Sequence, residues 1–334
     1  MSTIKNNNYS HLVARIGGLL ELGKQKAFQK VNTILVETYW QIGKQIVEFE
    51  QNGAERAVYG AELLKTMSKD LKATFGKGFS RSNLQNMRLL YLKFPKSQTL
   101  SGKLSWSHYA ELLSVSDDLA FSFYLKQTEI DNWSVRELKR QIQSALFERI
   151  ALSKNKEGVL ALAKNGQQIS QTKDIVKDPY VFEFLQLEEK DQWLERDLEN
   201  ALIDKLGQFL LELGKGFAFM GKQYRITLDN THFYVDLVFY HRILKCFVLI
   251  DLKKGKVNHQ DVGQMNLYLN YFSSEENMES DNPPIGIILG ADKNDILIEY
   301  ATAGITNQLF VSKYELHLPN KAVLQEEMHK LLNH

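Results

Sequence analysis

From Lys245 to Lys254 the chain reads KCFVLIDLKK. A strand shows its side chains to opposite faces in turn, so a run that is apolar on both faces needs cover on both. This run is apolar on both faces until Asp251, and is expected at the centre of a sheet flanked by helices. The run before it, FYVDLVFY at 233–240, is nearly as apolar, and HRILK between them has the length of a short turn. A hairpin would set the two strands side by side, and Asp236 and Asp251 could then reach one point. Asp251 and Lys253, two apart, share a face, with Leu252 opposite.

The N-terminal part has a different rhythm. Over residues 9–52, Leu35, Tyr39, Ile42 and Ile46 fall three or four apart, the helical period, with Gly17 and Gly18 as places for a bend or break. The stretches 61–76, 81–94, 104–115, 119–130 and 132–150 read as further helices. Ser80 suits an N-cap, Pro95 stands beyond the end of the helix that Ser80 opens, and Ser134 with Glu137 forms a capping box. No strand-like alternation precedes residue 150.

Residues 151–177 turn polar and rich in Lys, Gln and Ser, as a linker would. Beyond them, 194–216 reads as one long helix with Leu198, Leu202, Leu206 and Leu210 on a face. Asp229-Asn230 marks a turn between strands, 260–274 reads as a helix, and IGIILGA (285–291) and ILIEYAT (296–302) read as two more strands. The expected organisation is a helical domain over 1–150, a linker over 151–177 and an α/β domain over 178–334.

Composition narrows the classes. The chain has 334 residues and a net charge of +1, enough for two cores and no global polyanion binder. No run approaches the ~18 apolar residues of a membrane span. The polar start MSTIKNNNYSH lacks the apolar core of a signal peptide. The lone cysteine, Cys246, lies in an apolar run and reads as a buried thiol in a reducing compartment. A cytoplasmic protein is expected.

Charge is local instead. Residues 60–96 hold eight basic side chains against two acidic ones, on two helices joined by the glycine turn FGKGFS. That pattern is similar to a helix-turn-helix, with Lys77, Arg81 and Asn83 at the start of its second helix and Arg88 further along. Lysines also coat ordinary solvated faces. Arg225, on the strand before Asp236, could line a nucleic-acid channel. His108, His232, His241 and His259 show no zinc spacing and read as structural or surface residues. LGKGFAFMGK lacks the order of a phosphate loop.

A carboxylate inside an apolar strand pair must be paired, protonated or metal-bound. Two adjacent carboxylates repel at neutral pH unless a cation lies between them. A hard divalent ion such as Mg²⁺ (Mn²⁺ can substitute) takes oxygen ligands and assists phosphodiester hydrolysis. Lys253 on the same face could orient water or offset developing charge. Glu199, in the preceding helix, could close a third side.

Asp236 with Asp251-Leu252-Lys253 resembles the PD-(D/E)xK nuclease signature. The blocks LIDKLGQFLLELGKGFAFMGKQYRI, FYVDLVFYHRILKCFVLIDLKKGK, GQMNLYLN and NPPIGIILG, with TYWQIGKQI, YGAELLKTMSKDL, GFSRSNLQNMRLLYLKFP, LSWSHYAELL and WSVRELKRQI before them, resemble the YhcG-like group of bacterial proteins over nearly the whole chain. The resemblance implies a restriction-endonuclease-like mixed sheet flanked by helices, behind an all-helical, DNA-binding domain. It matches Asp236 to the metal-binding aspartate, Asp251 to the acidic residue before x-Lys and Lys253 to the catalytic lysine. Glu199 matches the upstream helical glutamate, and Gln264 and Tyr268 match a Gln-x-x-x-Tyr pattern lining the site. The group more usually carries glutamate where Asp251 stands.

The expectation is then a Mg²⁺-dependent DNA endonuclease of DNA processing or defence, acting on double-stranded or branched DNA, with a homodimer as a possible state. Asp236, Asp251, the Leu252 carbonyl and Glu199 would hold the metal. The alternative is a non-catalytic DNA-binding or complex-forming protein that keeps the nuclease fold; RNA cleavage is a third reading.

Overall fold

The computed structural model describes residues 2–51, 60–187 and 194–333. Packing divides the chain into two units, residues 1–121 with 132–138, and residues 122–131 with 139–334.

The first unit has helices joined by turns and no strand among its described residues. Helix α1 (Ser2–Gln51) is continuous, so Gly17 and Gly18 do not break it; glycine weakens a helix without removing a backbone donor. Helices α2 (Gly60–Phe75) and α3 (Arg81–Lys93) pack with the C-terminal half of α1 through Ile46, Leu64, Leu84 and Met87. A Cβ on Gly43 would meet the Met87 carbonyl oxygen at 1.9 Å, so glycine is what lets α1 and α3 touch backbone to backbone. Gly76 and Gly78 turn the chain at φ +81° and +114°, and the Ser80 hydroxyl accepts the Asn83 N–H to cap α3. Helix α4 (Trp106–Leu112) follows.

Helices α5 (Asp118–Asp131) and α6 (Val135–Gln143) each contribute residues to both units. The Ser134–Glu137 capping box opens α6. The helix expected over 132–150 is in fact two, because Ala145 adopts φ +51° ahead of α7 (Leu146–Leu152). The polar stretch expected as a linker carries α8 (Lys156–Asn165), which is capped by Asn155 and buries Val159, Leu162 and Ala163. That narrow apolar face is diluted among lysines in the sequence.

Residues 139–177 belong to the second unit by a buried charge cluster. Glu212, fully buried, accepts Arg149 Nη1 at 2.7 Å, Arg140 Nη1 at 3.2 Å and the Val181 N–H at 3.0 Å. The Lys177 ammonium donates to the Glu212 backbone carbonyl. Burial alone would raise the Glu212 carboxyl, but the charges of Arg149, Lys177 and Arg140 outweigh it and hold the group at about 2.

One sheet organises this unit. Its strands are β1 (Tyr180–Val181), β2 (Phe217–Leu228), β3 (Thr231–His241), β4 (Cys246–Lys256), β5 (Ile285–Asp292) and β6 (Gln308–Glu315), in the order β1-β6-β5-β4-β3-β2. Strand β4 runs antiparallel to β3 and parallel to β5 in the interior of the sheet, as its apolar faces require. Asp229 and Asn230, both at positive φ, make the tight turn from β2 to β3. Helices α9 (Glu195–Asp204) and α10 (Leu206–Leu213) cover the face of Leu237, Phe239, Ile250 and Leu252. Helix α11 (His259–Tyr271) covers the face of Val238, Leu249 and Ile288.

Three expectations change here. The long helix over 194–216 is interrupted at Lys205, and Leu206 and Leu210 are only partly buried. Residues expected as the strand ILIEYAT form α12 (Asp295–Thr302), capped by the Asn294 side chain. A short apolar run does not distinguish strand from helix by period, and here the cap decides. The last strand is instead β6, followed by α13 (Lys321–Asn333). Among the described residues no helix is long and apolar enough to cross a membrane.

Candidate active site

In the β3–β4 pair, Leu237 faces Ile250. Continuing the register by one residue sets Asp236 across from Asp251. The strands part there, and Asp236 Oδ2 accepts the Leu252 N–H at 2.8 Å. Val235 and Val238 both lie in the layer beside α11 although three residues separate them, so the alternation of β3 slips at Asp236.

The two carboxyls act on each other, each shifting the other's pKa. Asp251 is 3% exposed, and its Oδ2 lies 2.8 Å from Lys253 Nζ. Burial, and then the neighbouring charge of Asp236, push the Asp251 carboxyl up to about 7. Burial raises Asp236 as well, against the Leu252 N–H and the charge of Lys253. Burial would lower the Lys253 ammonium, but Asp251, Glu195 and Asp261 more than offset this and hold its pKa above the ordinary lysine value. Lys253 is therefore a fixed cation near neutral pH, and Asp236 and Asp251 share a proton when no other cation neutralises them.

Glu199 projects from α9, 5% exposed, and reaches the pair through an intermediary: Gln223 Nε2 donates to Glu199 Oε2 at 2.7 Å and to Asp236 Oδ1 at 3.1 Å. On α11, Gln264 donates to the Tyr268 hydroxyl, which donates to the Tyr234 carbonyl at 3.0 Å. Burial raises Tyr268, and the charges of Asp251, Lys253 and Asp236 act on it. Asp236, Asp251, Leu252, Lys253 and, through Gln223, Glu199 thus meet at the open end of the β3–β4 pair, while Gln264 and Tyr268 bond to each other and to Tyr234, two residues before Asp236.

The expected DNA-contact residues stand in different local surroundings. Lys77 and Arg81 are exposed on the α2–α3 turn and the start of α3. Asn83 is committed locally: its amide donates to the Gly78 carbonyl and its oxygen accepts the Trp106 indole N–H at 2.8 Å. Arg88 is paired with Glu50 at 2.7 Å and half-buried. Arg225 is exposed on β2. His241 is structural: it is buried, accepting the Leu244 N–H at Nδ1 and facing the Lys215 carbonyl with Nε2.

Sequence reasoning missed three contributors. Glu195 accepts the Lys254 N–H at 3.1 Å, and Asp261 lies 3.8 Å from Lys253. Asp261 was findable, since Asn258 and Asp261 form a capping box in front of α11. Gln223 had no such signal.

Among the described residues, no three histidine, cysteine, aspartate or glutamate side chains form a ready-made cation site. The donor set is nonetheless all oxygen, with two carboxyls opposed across the strand pair and a third one bridge away. That chemistry fits a hard divalent ion completed by water better than zinc.

Comparison with known proteins places the chain in a family. Residues 173–330 match the YhcG PDDEXK nuclease domain, and residues 15–149 match the DUF1016 N-terminal domain. The YhcG protein of Escherichia coli (strain K12) is 40% identical in an alignment that spans 93% of this chain and 91% of that protein. Two solved structures share 17% and 16% identity: a repair endonuclease from Pyrococcus abyssi, and an EndoMS complex with double-stranded DNA. Each alignment covers 40% of this chain and 50% of the other, at TM-scores of 0.28 and 0.27, too low to add to the family match.

Proposed function

We propose, for a chain that belongs to the YhcG family of proteins with a DUF1016 N-terminal domain and a PDDEXK nuclease domain, that the site at Asp236, Asp251 and Lys253 hydrolyses phosphodiester bonds in DNA with a divalent metal ion. One observation carries this reading. Two carboxyls and a lysine, from two otherwise apolar strands, converge where the strands part, and Lys253 is 2.8 Å from Asp251. A purely structural strand pair would be more stable with apolar residues there.

Asp236, Asp251 and the Leu252 carbonyl would hold the ion, with Glu199 reaching it through water. When bound, Mg²⁺ or Mn²⁺ would neutralise the phosphodiester and lower the pKa of a water. The Leu252 N–H holds Asp236 Oδ2, and Oδ1 accepts Gln223 Nε2 with lone-pair capacity to spare for the ion. Lys253 keeps its proton, so it does not act as the base. Its N–H groups orient the attacking water and offset the charge that gathers on the phosphate oxygens as the new P–O bond forms and the old one breaks. The attacking water's proton leaves to solvent, and the leaving oxygen takes one from solvent as its P–O bond breaks. Tyr268, fixed by Gln264 and the Tyr234 carbonyl, lines the wall of the site.

Lys77 and Arg81 would supply phosphate contacts from the helical unit, in a protein of the cytoplasm. A non-catalytic role on the same fold is the second reading; it is favoured by Asp251, one methylene shorter than the glutamate that the group more usually carries there. Incubation with supercoiled, linear, branched and methylated DNA, with Mg²⁺ and with EDTA, separates the two. Cleavage with Mg²⁺ that EDTA stops supports the nuclease. Binding without cleavage of any substrate, in Mg²⁺ or Mn²⁺, supports the second reading.

A further inference from the structure

Gln223 lies on β2 beside Asp236, at φ +49°. That left-handed conformation is uncommon outside glycine, asparagine and aspartate, and a longer side chain is held there only when its surroundings require it. The side chain lies at the exposed mouth of the site. Its Nε2 donates one hydrogen to Glu199 Oε2 at 2.7 Å and the other to Asp236 Oδ1 at 3.1 Å. The neighbouring Lys222 makes a second link to the same helix, Nζ to Asn200 Oδ1 at 3.4 Å. With the Leu252 N–H on Oδ2, Asp236 is held at both oxygens.

The chemistry of the bridge is selective. Two carboxylates brought together need a donor between them. A lysine would neutralise them and compete with an incoming cation, and a glutamate would add to the repulsion. An amide supplies two N–H groups and no charge. It fixes the geometry and leaves the negative charge available. Asparagine tolerates the backbone better but is one methylene shorter.

We propose that Gln223 is a positioning residue, whose amide ties the helix-borne Glu199 to the strand-borne Asp236 and so brings Glu199 into the carboxylate set that takes the divalent ion. The proposal rests on the nuclease reading of the site. Its test is Mn²⁺ titration of the full chain by calorimetry, for wild type, Gln223→Met, Glu199→Ala and the double variant, each checked by circular dichroism. Methionine keeps the length and volume of the side chain and removes the hydrogen bonds. Gln223→Met should weaken Mn²⁺ binding about 10- to 100-fold, the usual effect of losing a group that orients a ligand. The double variant should bind no more weakly than Glu199→Ala alone, because Gln223 acts through Glu199. A merely structural role would leave Mn²⁺ affinity unchanged or make the two losses multiply, and either result overturns the proposal. A wild-type chain that binds no Mn²⁺ overturns the nuclease reading and the proposal with it. Wild-type binding matched by Gln223→Met overturns the proposal alone.

Discussion

Removing residues 122–177 should leave a nuclease unit that cannot hold itself together, although the sheet and the Asp236 site all lie beyond residue 178. Glu212 is the reason. It is completely buried, and its charge is met by Arg149, Arg140 and Lys177, all of which a 178–334 fragment lacks. In the whole unit its carboxyl is held at about 2 against an ordinary 4.5. At ~1.36 kcal/mol per pH unit that contributes about 3 kcal/mol near neutral pH. Folding depresses this pKa, so the contribution is complete above pH 4.5 and is lost as pH falls through about 2. In the fragment the cations are gone and burial remains, a loss of about 3–5 kcal/mol for a broken buried pair. Stabilities of domains are only ~5–15 kcal/mol. Urea unfolding of 122–334 and 178–334 at pH 7, with Glu212→Gln in the longer form, measures the difference. The longer form should unfold cooperatively, and the shorter should be unfolded or at least 3 kcal/mol weaker. Glu212→Gln should weaken the longer form at pH 7 and flatten its acid loss below pH 4.5. A 178–334 fragment within 1 kcal/mol of 122–334 would refute the role given to the cluster.

Lys253→Ala should lower cleavage by about 10²–10³-fold, the scale of losing one group that offsets transition-state charge; Mn²⁺ affinity should be unchanged or tighter, since a like charge leaves the site. Weaker Mn²⁺ binding would place the lysine's role elsewhere. Because burial and the Asp236 charge push the Asp251 carboxyl up to about 7, a cation must displace a proton from the carboxyl pair below that pH. Mn²⁺ affinity should therefore rise with pH and level off above about 7, with proton release detectable in buffers of different ionisation enthalpy; a flat profile from pH 5.5 to 8 would contradict it. Lys77→Ala with Arg81→Ala should weaken DNA binding and reduce its salt slope by about 2. Asn83→Ala should act instead through thermal stability, since that side chain serves the turn and Trp106.

The sequence was most legible where burial leaves one solution. KCFVLIDLKK could only be an interior strand, and it is. Ser80, Ser134 and Pro95 marked helix ends because caps and proline act locally. The carboxylates and Lys253 stood out because apolar strands do not otherwise hold them. Legibility failed where tertiary contacts decide. Ala145 breaks a helix at a residue that favours helix, and ILIEYAT is apolar enough for either state until Asn294 caps it. The 151–177 stretch looked like a linker because its apolar residues are few, and because the core that takes Ile175 and the Glu212 that meets Lys177 lie far along the chain. Arg88 looked free for DNA because Glu50 is 38 residues away. Gln223 was invisible because its meaning lies in a backbone angle and in two carboxylates from other elements.

The central claim is that Asp236 and Asp251 hold a cation for DNA cleavage. Its most direct test is one paired measurement on wild type and Asp236→Ala: Mg²⁺ or Mn²⁺ titration alongside cleavage of DNA in the same buffer. Wild type should bind the ion and cut. Asp236→Ala should stay folded, bind the ion far more weakly and lose cleavage. An Asp236→Ala chain that binds the ion as wild type does, and still cuts DNA, would contradict the account.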